Sequence, residues 1–208
     1  MMVLGQVFQE KYQPSYRVHL DEPLAVQQLS KAIFSFLPTS PNPSIAVVCI
    51  GSDRSTGDSL GPLIGSKLLE KRCPIFSIYG SLNSPVHAKN LHETIDTINQ
   101  DLNQPWIIAI DACLGRTESV GFMTVSNGPV FPGVAVRKNL PPIGNIHLTG
   151  IVNVSGYMEM LVLQNTRLSL VMNMADSMSR ALWRSACWLE NRQNVLRSPS
   201  EKKLPQNN

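Results

Sequence analysis

Two short unbroken apolar runs, IAVVCI at 45–50 and WIIAI at 106–110, constrain this chain more than anything else in it. Each is about strand length and bounded by turn residues, the pattern of a strand covered on both faces. Segments with helical spacing stand between and around such runs. DSLGPLIGSKLLEKR at 58–72 reads as a helix, as does KNLHETIDTINQDL at 89–102, where Leu91, Ile95, Ile98 and Leu102 form one apolar stripe. IFSIYG at 75–80, VGFMTVS at 120–126, HLTGIVNV at 147–154 and RLSLV at 167–171 read as further strands, and GYMEMLVLQ at 156–164 as a helix. Met174, Met178, Leu182, Ala186 and Leu189 mark the inner face of a closing helix. Strands alternating with helices predict an α/β fold, a three-layer α/β/α sandwich around a mostly parallel sheet.

The domain limits follow. Residues 1–20 have no clear periodicity and read as an extended N-terminal arm, residues 21–190 as a single α/β domain, and 191–208 as a polar, disordered tail. The first helix is expected to start near Asp21, capped by its side chain, with Pro23 in the first turn and Leu29, Ile33, Phe36 and Leu37 inside. Three prolines in PTSPNPS stop it. GPVFPGVAVRKNLPPIGN at 128–145 is a long Pro/Gly-rich loop, and loops of that length in a compact domain usually serve function.

Composition excludes several classes of function. Only 16% of the 208 residues are charged, and the net charge of +3 sits in the tail, where Arg192, Arg197, Lys202 and Lys203 face one acid, Glu201. Residues 1–190 carry 14 charges of each sign, so no nucleic-acid footprint is expected. The apolar runs are too short to span a bilayer, and the N-terminus does not read as a signal peptide. Cysteines 49, 73, 113 and 187 form no CxxC pair and read as reduced thiols. A cytoplasmic protein is expected, and its low charge suits a homo-oligomeric contact.

Functional groups in open α/β sheets gather where loops leave the carboxyl ends of strands. Asp58 follows the 45–50 strand in GSDRSTGDSLG, and Asp111 stands directly after WIIAI, which is taken to end there. Paired acids raise each other's pKa and share a proton, which suits water activation for amide hydrolysis; ionised, they bind a cation. Asp58 also fits a helix N-cap, and Asp111 a turn. The glycine-rich turn is no Walker A loop, since Asp58 stands where a lysine is needed, and Asp53 adds to the argument against an anion site. Arg54 is either solvated or a contact for a substrate carbonyl. His147, in NIHLTG, is either structural or a third member of the site; His87, beside a proline at a strand exit, is either structural or lines the same cleft. His92 fits a solvated helix face. Cys113 is either a buried thiol or a nucleophile.

The segments VVCIGSDRSTGDSLGPLIG, IIAIDACLGR and PG…IGNIHLTG resemble the YyaC-type sporulation proteins, taken to be spore proteases, over roughly residues 40–190. That family is similar to the germination protease of spore-formers and to the hydrogenase maturation endopeptidases, which share one α/β fold. The first likeness implies catalytic acids at Asp58, within GDSLGP, and Asp111, within AIDACLGR, with Pro132, Gly133 and Lys138 of FPGVAVRKNL shaping one wall. The second, through HLTG at 147–150, implies Asp58, Asp111 and His147 as a metal ligand set, for nickel, zinc or manganese. It departs at Gly57, where those enzymes carry an acid.

The resemblance implies an endopeptidase acting on a protein substrate in sporulation or germination, in the forespore or spore core. Two other readings remain: a non-enzymatic assembly or binding protein that keeps the fold, and a hydrogenase-type maturation activity.

Overall fold

The computed structural model describes residues 15–71, 73, 75–132 and 140–197. Six strands, β1 (Ser15–His19), β2 (Ile45–Cys49), β3 (Phe76–Tyr79), β4 (Trp106–Gly115), β5 (Phe122–Asn127) and β6 (Ile146–Val154), form one sheet in the order β1-β5-β6-β4-β2-β3. The pairs β3–β2, β2–β4 and β4–β6 are parallel, whereas β5 runs antiparallel to both β6 and β1. Helices α1 (Ala25–Phe36), α2 (Leu60–Glu70) and α5 (Leu168–Arg197) cover one face, and α3 (Leu91–Asp101) packs against the other. A mostly parallel sheet between helical layers is the expected α/β sandwich.

The continuous apolar runs are explained by this layering. In β2 every residue is buried: Ile45, Val47 and Cys49 enter the core under α1, α2 and α5, while Ala46 and Val48 enter the core under α3. Burying each face removes apolar surface worth roughly 25 cal/mol per Å² from water, so neither layer is dispensable.

Several expectations need correction. The arm assigned to 1–20 contains β1, whose residues Tyr16 and Val18 pair with Val125 and Met123; residues 1–14 lie outside the described part. Helix α1 begins at Ala25, after Leu24 in the left-handed region, without a side-chain cap. Asp21 instead donates its amide to His19 Nδ1, and Pro23 stands before the helix. RLSLV is no strand: its Leu168–Val171 part opens the 30-residue α5, where Val171, Met174, Ala175 and Met178 are all buried at helical spacing. That helix also continues to Arg197, through the start of the stretch read as a tail; 198–208 lie outside the described residues.

Strand β4 does not stop at Asp111. It runs on to Gly115, pairing Asp111 with Thr149 of β6, and a register shift between Cys113 and Leu114 follows. The ladder with β2, however, ends at the Cys49–Ile110 pair. Asp111 is therefore the first residue of β4 without a β2 partner, although it is inside a strand.

Chain order explains why a crevice opens there. From β2 the chain crosses by α2 to β3 on one side, then by α3 to β4 on the other, so β2 and β4 diverge at their carboxyl ends. No helix among the described residues is long and apolar enough to cross a membrane.

Candidate active site

A cleft of about 310 Å³ occupies this crevice, and Asp58 and Asp111 both line it. Asp58 is held by the turn between β2 and α2. Gly51 has φ 144°, a conformation open to glycine, and a Cβ there would strike the Asp58 carbonyl. The Ser52 amide donates to that carbonyl at 3.1 Å, folding the turn back on itself. At Gly61 a Cβ would be driven into the Ile50 carbonyl, so glycine lets the start of α2 lie directly on the end of β2. The helix starts at Leu60 after Ser59, and no side chain caps it. Asp58 is thus not consumed as an N-cap, and it lines the cleft.

The two acids differ in environment. Burial and the neighbouring charge of Asp58 push Asp111 up to about 8, against a weaker pull from the Ala112 amide, which donates to Oδ1 at 2.9 Å. Asp58 is also raised by burial, offset by the Ser52 amide and by the positive field of His87. Asp111 is raised the further of the two and keeps its proton near neutral pH beside the second carboxyl of Asp58.

The remaining wall is mostly apolar: Ile50, Ala88, Pro132, Leu140, Met160 and Leu163, with Ser55 and Gln164 as polar members. Met160 and Leu163 come from α4 (Glu159–Gln164), which is tied to the acid-bearing turn by the Gly57 amide donating to the Leu163 carbonyl at 2.8 Å. Pro132 lines the cleft as expected; Gly133 and Lys138 lie outside the described residues.

The histidines divide otherwise than the HLTG motif implies. His87 lines the cleft. Its loop is built by Asn90, whose Oδ1 accepts the His87 amide at 2.8 Å and whose Nδ2 donates to the Pro85 carbonyl at 3.0 Å. Val86 bridges to Ile50, which brings this loop against the end of β2. His147 pairs with Ala109 in the sheet, two residues before the Asp111–Thr149 pair, and its Nδ1 donates to the Gly128 carbonyl at 2.9 Å. It is not part of the cleft wall.

Among the described residues no three His, Cys, Asp or Glu side chains converge as a metal site would require. The ligand set Asp58, Asp111 and His147 therefore does not fit nickel, zinc or manganese as these residues stand, since two carboxyls meet without their third donor.

Of the other candidates, Asp53 and Arg54 are exposed outside the cleft wall, and His92 is solvated as expected. The Cys113 thiol is pushed up to about 11, first by burial and then by Asp111, which keeps it protonated and a poor nucleophile. All four cysteines are free thiols. Ser55 is a member of the cleft that sequence reasoning did not single out; its position three residues before Asp58 in a glycine-flanked turn is the signal that points to it.

A family model described as "Protein of unknown function (DUF1256)" matches residues 17–181. The "Uncharacterized protein YyaC" of Bacillus subtilis (strain 168) is 47% identical over 178 residues, spanning 86% of this chain and 87% of that protein. Among solved structures, the [NiFe] hydrogenase maturation protease HycI from Thermococcus kodakarensis KOD1 gives a TM-score of 0.49 at 14% identity, over 72% of this chain and 95% of that one.

Proposed function

The chain belongs to the DUF1256 family of proteins of unknown function, and we propose that it is an endopeptidase in which Asp58 and Asp111 share a proton to activate water. The observation that carries this reading is the pair itself: two carboxyls on one mostly apolar cleft, one held protonated up to about pH 8 by its burial and its neighbour. Hydrolysis of an amide needs a base for the water and an acid for the carbonyl oxygen, and these two states supply both. Asp58, ionised, accepts a proton from water as its oxygen attacks the peptide carbonyl. Asp111 donates to the oxygen on which charge develops. Collapse of the tetrahedral intermediate returns that proton to Asp111, and the proton taken up by Asp58 passes to the leaving amine.

The resemblance of the GDSLGP and AIDACLGR segments to sporulation proteins supports a protein substrate in a sporulating or germinating cell. The test is cleavage of spore proteins by the purified chain, read by mass spectrometry. Asp58→Asn and Asp111→Asn are each expected to lower the rate by at least a hundredfold while melting cooperatively. Cleavage by both variants at the wild-type rate would rule out the paired-acid mechanism. Wild-type activity is expected to fall as pH rises through about 8, when the proton on Asp111 is lost.

A further inference from the structure

Two residues that line the cleft each carry a buried polar atom with no hydrogen-bond partner, Ser55 Oγ and His87 Nδ1. A buried polar atom left unpaired costs on the order of 1–3 kcal/mol, so such atoms in a cavity mark places where something else completes the bond. Ser55 and His87 line the same cleft as Asp58 and Asp111, with apolar Leu140, Met160 and Leu163 among the other lining residues.

The apolar surface does not stop at the cleft mouth. Met160 lines the cavity and is still 60% exposed, and beside it Tyr157, Met158 and Leu161 are exposed too. Met158 takes φ 59°, in the left-handed region that a residue with a Cβ rarely adopts, to begin α4. Phe131, next to Pro132 of the wall, is also exposed. Single exposed apolar residues need no explanation, but a run of them continuous with a polar-tipped cavity is the composition of a binding site.

We infer that the cleft takes an extended polypeptide whose large apolar side chain seats on Leu140, Met160 and Leu163 while Ser55 and His87 hydrogen-bond its backbone. A polypeptide backbone offers both a donor and an acceptor to these two orphaned atoms, whatever the tautomer of His87. An acidic side chain is excluded by the carboxylate of Asp58 and by the apolar wall. The inference deepens the endopeptidase reading and rests on it for the nature of the ligand.

The experiment uses capped, fluorescent heptapeptides with leucine, alanine or glutamate at the centre of an otherwise alanine and glycine sequence. Binding to the full chain carrying Asp111→Asn is read by fluorescence anisotropy at pH 7, and cleavage by the wild-type chain is followed separately by mass spectrometry. The leucine peptide is expected to bind about tenfold or more tighter than the alanine peptide, as burial of the extra carbons predicts, and the glutamate peptide weakest. Met160→Glu, at an exposed position outside the core, should abolish the preference for leucine. His87→Ala should weaken all three peptides alike.

Equal affinity for the three peptides, no binding of any at millimolar concentration, or an unchanged preference in Met160→Glu would overturn the inference. So would His87→Ala that leaves affinity intact. Discrimination without cleavage upholds this site and removes the peptidase reading; cleavage without discrimination does the reverse.

Discussion

At the scale of single residues, Asp111 is the group whose chemistry departs furthest from its ordinary form. Its folded-state affinity for a proton is raised to about 8 from the ordinary carboxylate value near 4. Below about pH 4 the group is protonated in the folded and unfolded chains alike and costs nothing. As pH rises, the unfolded chain ionises first, and folded stability is lost progressively until Asp111 itself ionises near pH 8. Asp111→Asn removes that titration. It should leave stability at pH 4 nearly unchanged and raise it at pH 8 by several kcal/mol, on the order of 5, as read by thermal melting across that range. A difference from wild type that does not grow with pH would show that the acid is not buried against its neighbour. Both acids were legible in the sequence, because a glycine turn after one apolar run and an acid after the next are local signals. His87 and His147 were not separable that way: whether a ring faces a cleft depends on Asn90 bracing one loop and Gly128 accepting from the other, contacts 3 and 19 residues away.

At the scale of elements, the junction of β2 and α2 decides whether the site exists. Gly61→Ala would force the new Cβ against the Ile50 carbonyl, and backbone on that side has no rotamer with which to yield. Helix α2 must then lift from β2, which loosens Leu60 and Ile64 in the core and moves Asp58. A loss of about 2–4 kcal/mol is expected in denaturant unfolding. Leu182→Ala in α5, a fully buried position away from the cleft, should cost a similar amount. The two variants then differ in one respect: at a temperature where both remain folded, only Gly61→Ala should disturb the proton affinity of the acid pair, followed by carboxyl NMR titration. If both leave it unchanged, the close helix approach has no part in setting the site. Elements whose period was long were legible; those that were not were short. SYRVH holds one fully buried side chain, Val18, at the edge of the sheet, too little for an alternation to register. RLSLV fits either period in five residues, and only its continuity with Val171, Met174 and Met178 makes it helical.

At the scale of the whole molecule, protection should be uneven around the cleft. Strands β2 and β4 lie between two helical layers, and amides at Val47, Ile108 and Ile110 sit in fully buried residues. The turn at 51–59 has few backbone hydrogen bonds of its own and several exposed or half-buried residues. Amide hydrogen exchange is expected to be at least a hundredfold slower in β2 and β4 than in that turn. Equal protection would mean that turn and sheet open as one unit. The layering itself was the most legible property of the chain, because an apolar run with no polar alternation has nowhere to go except between two covers. The overhang of β4 past β2 was not, since the sequence turns polar at Asp111 whether or not the strand continues.

That overhang has a consequence for how the acids act on each other. Asp111 is anchored to a ladder through its pairing with Thr149, while Asp58 is carried by a turn held through Gly51, Ser52 and Gly57. The distance that governs their repulsion is thus a distance between two backbone segments, one in a sheet ladder and one in a turn. The acidity of Asp111 therefore depends on a neighbour placed by a different element, so the backbone of the turn, and not only the two side chains, sets it.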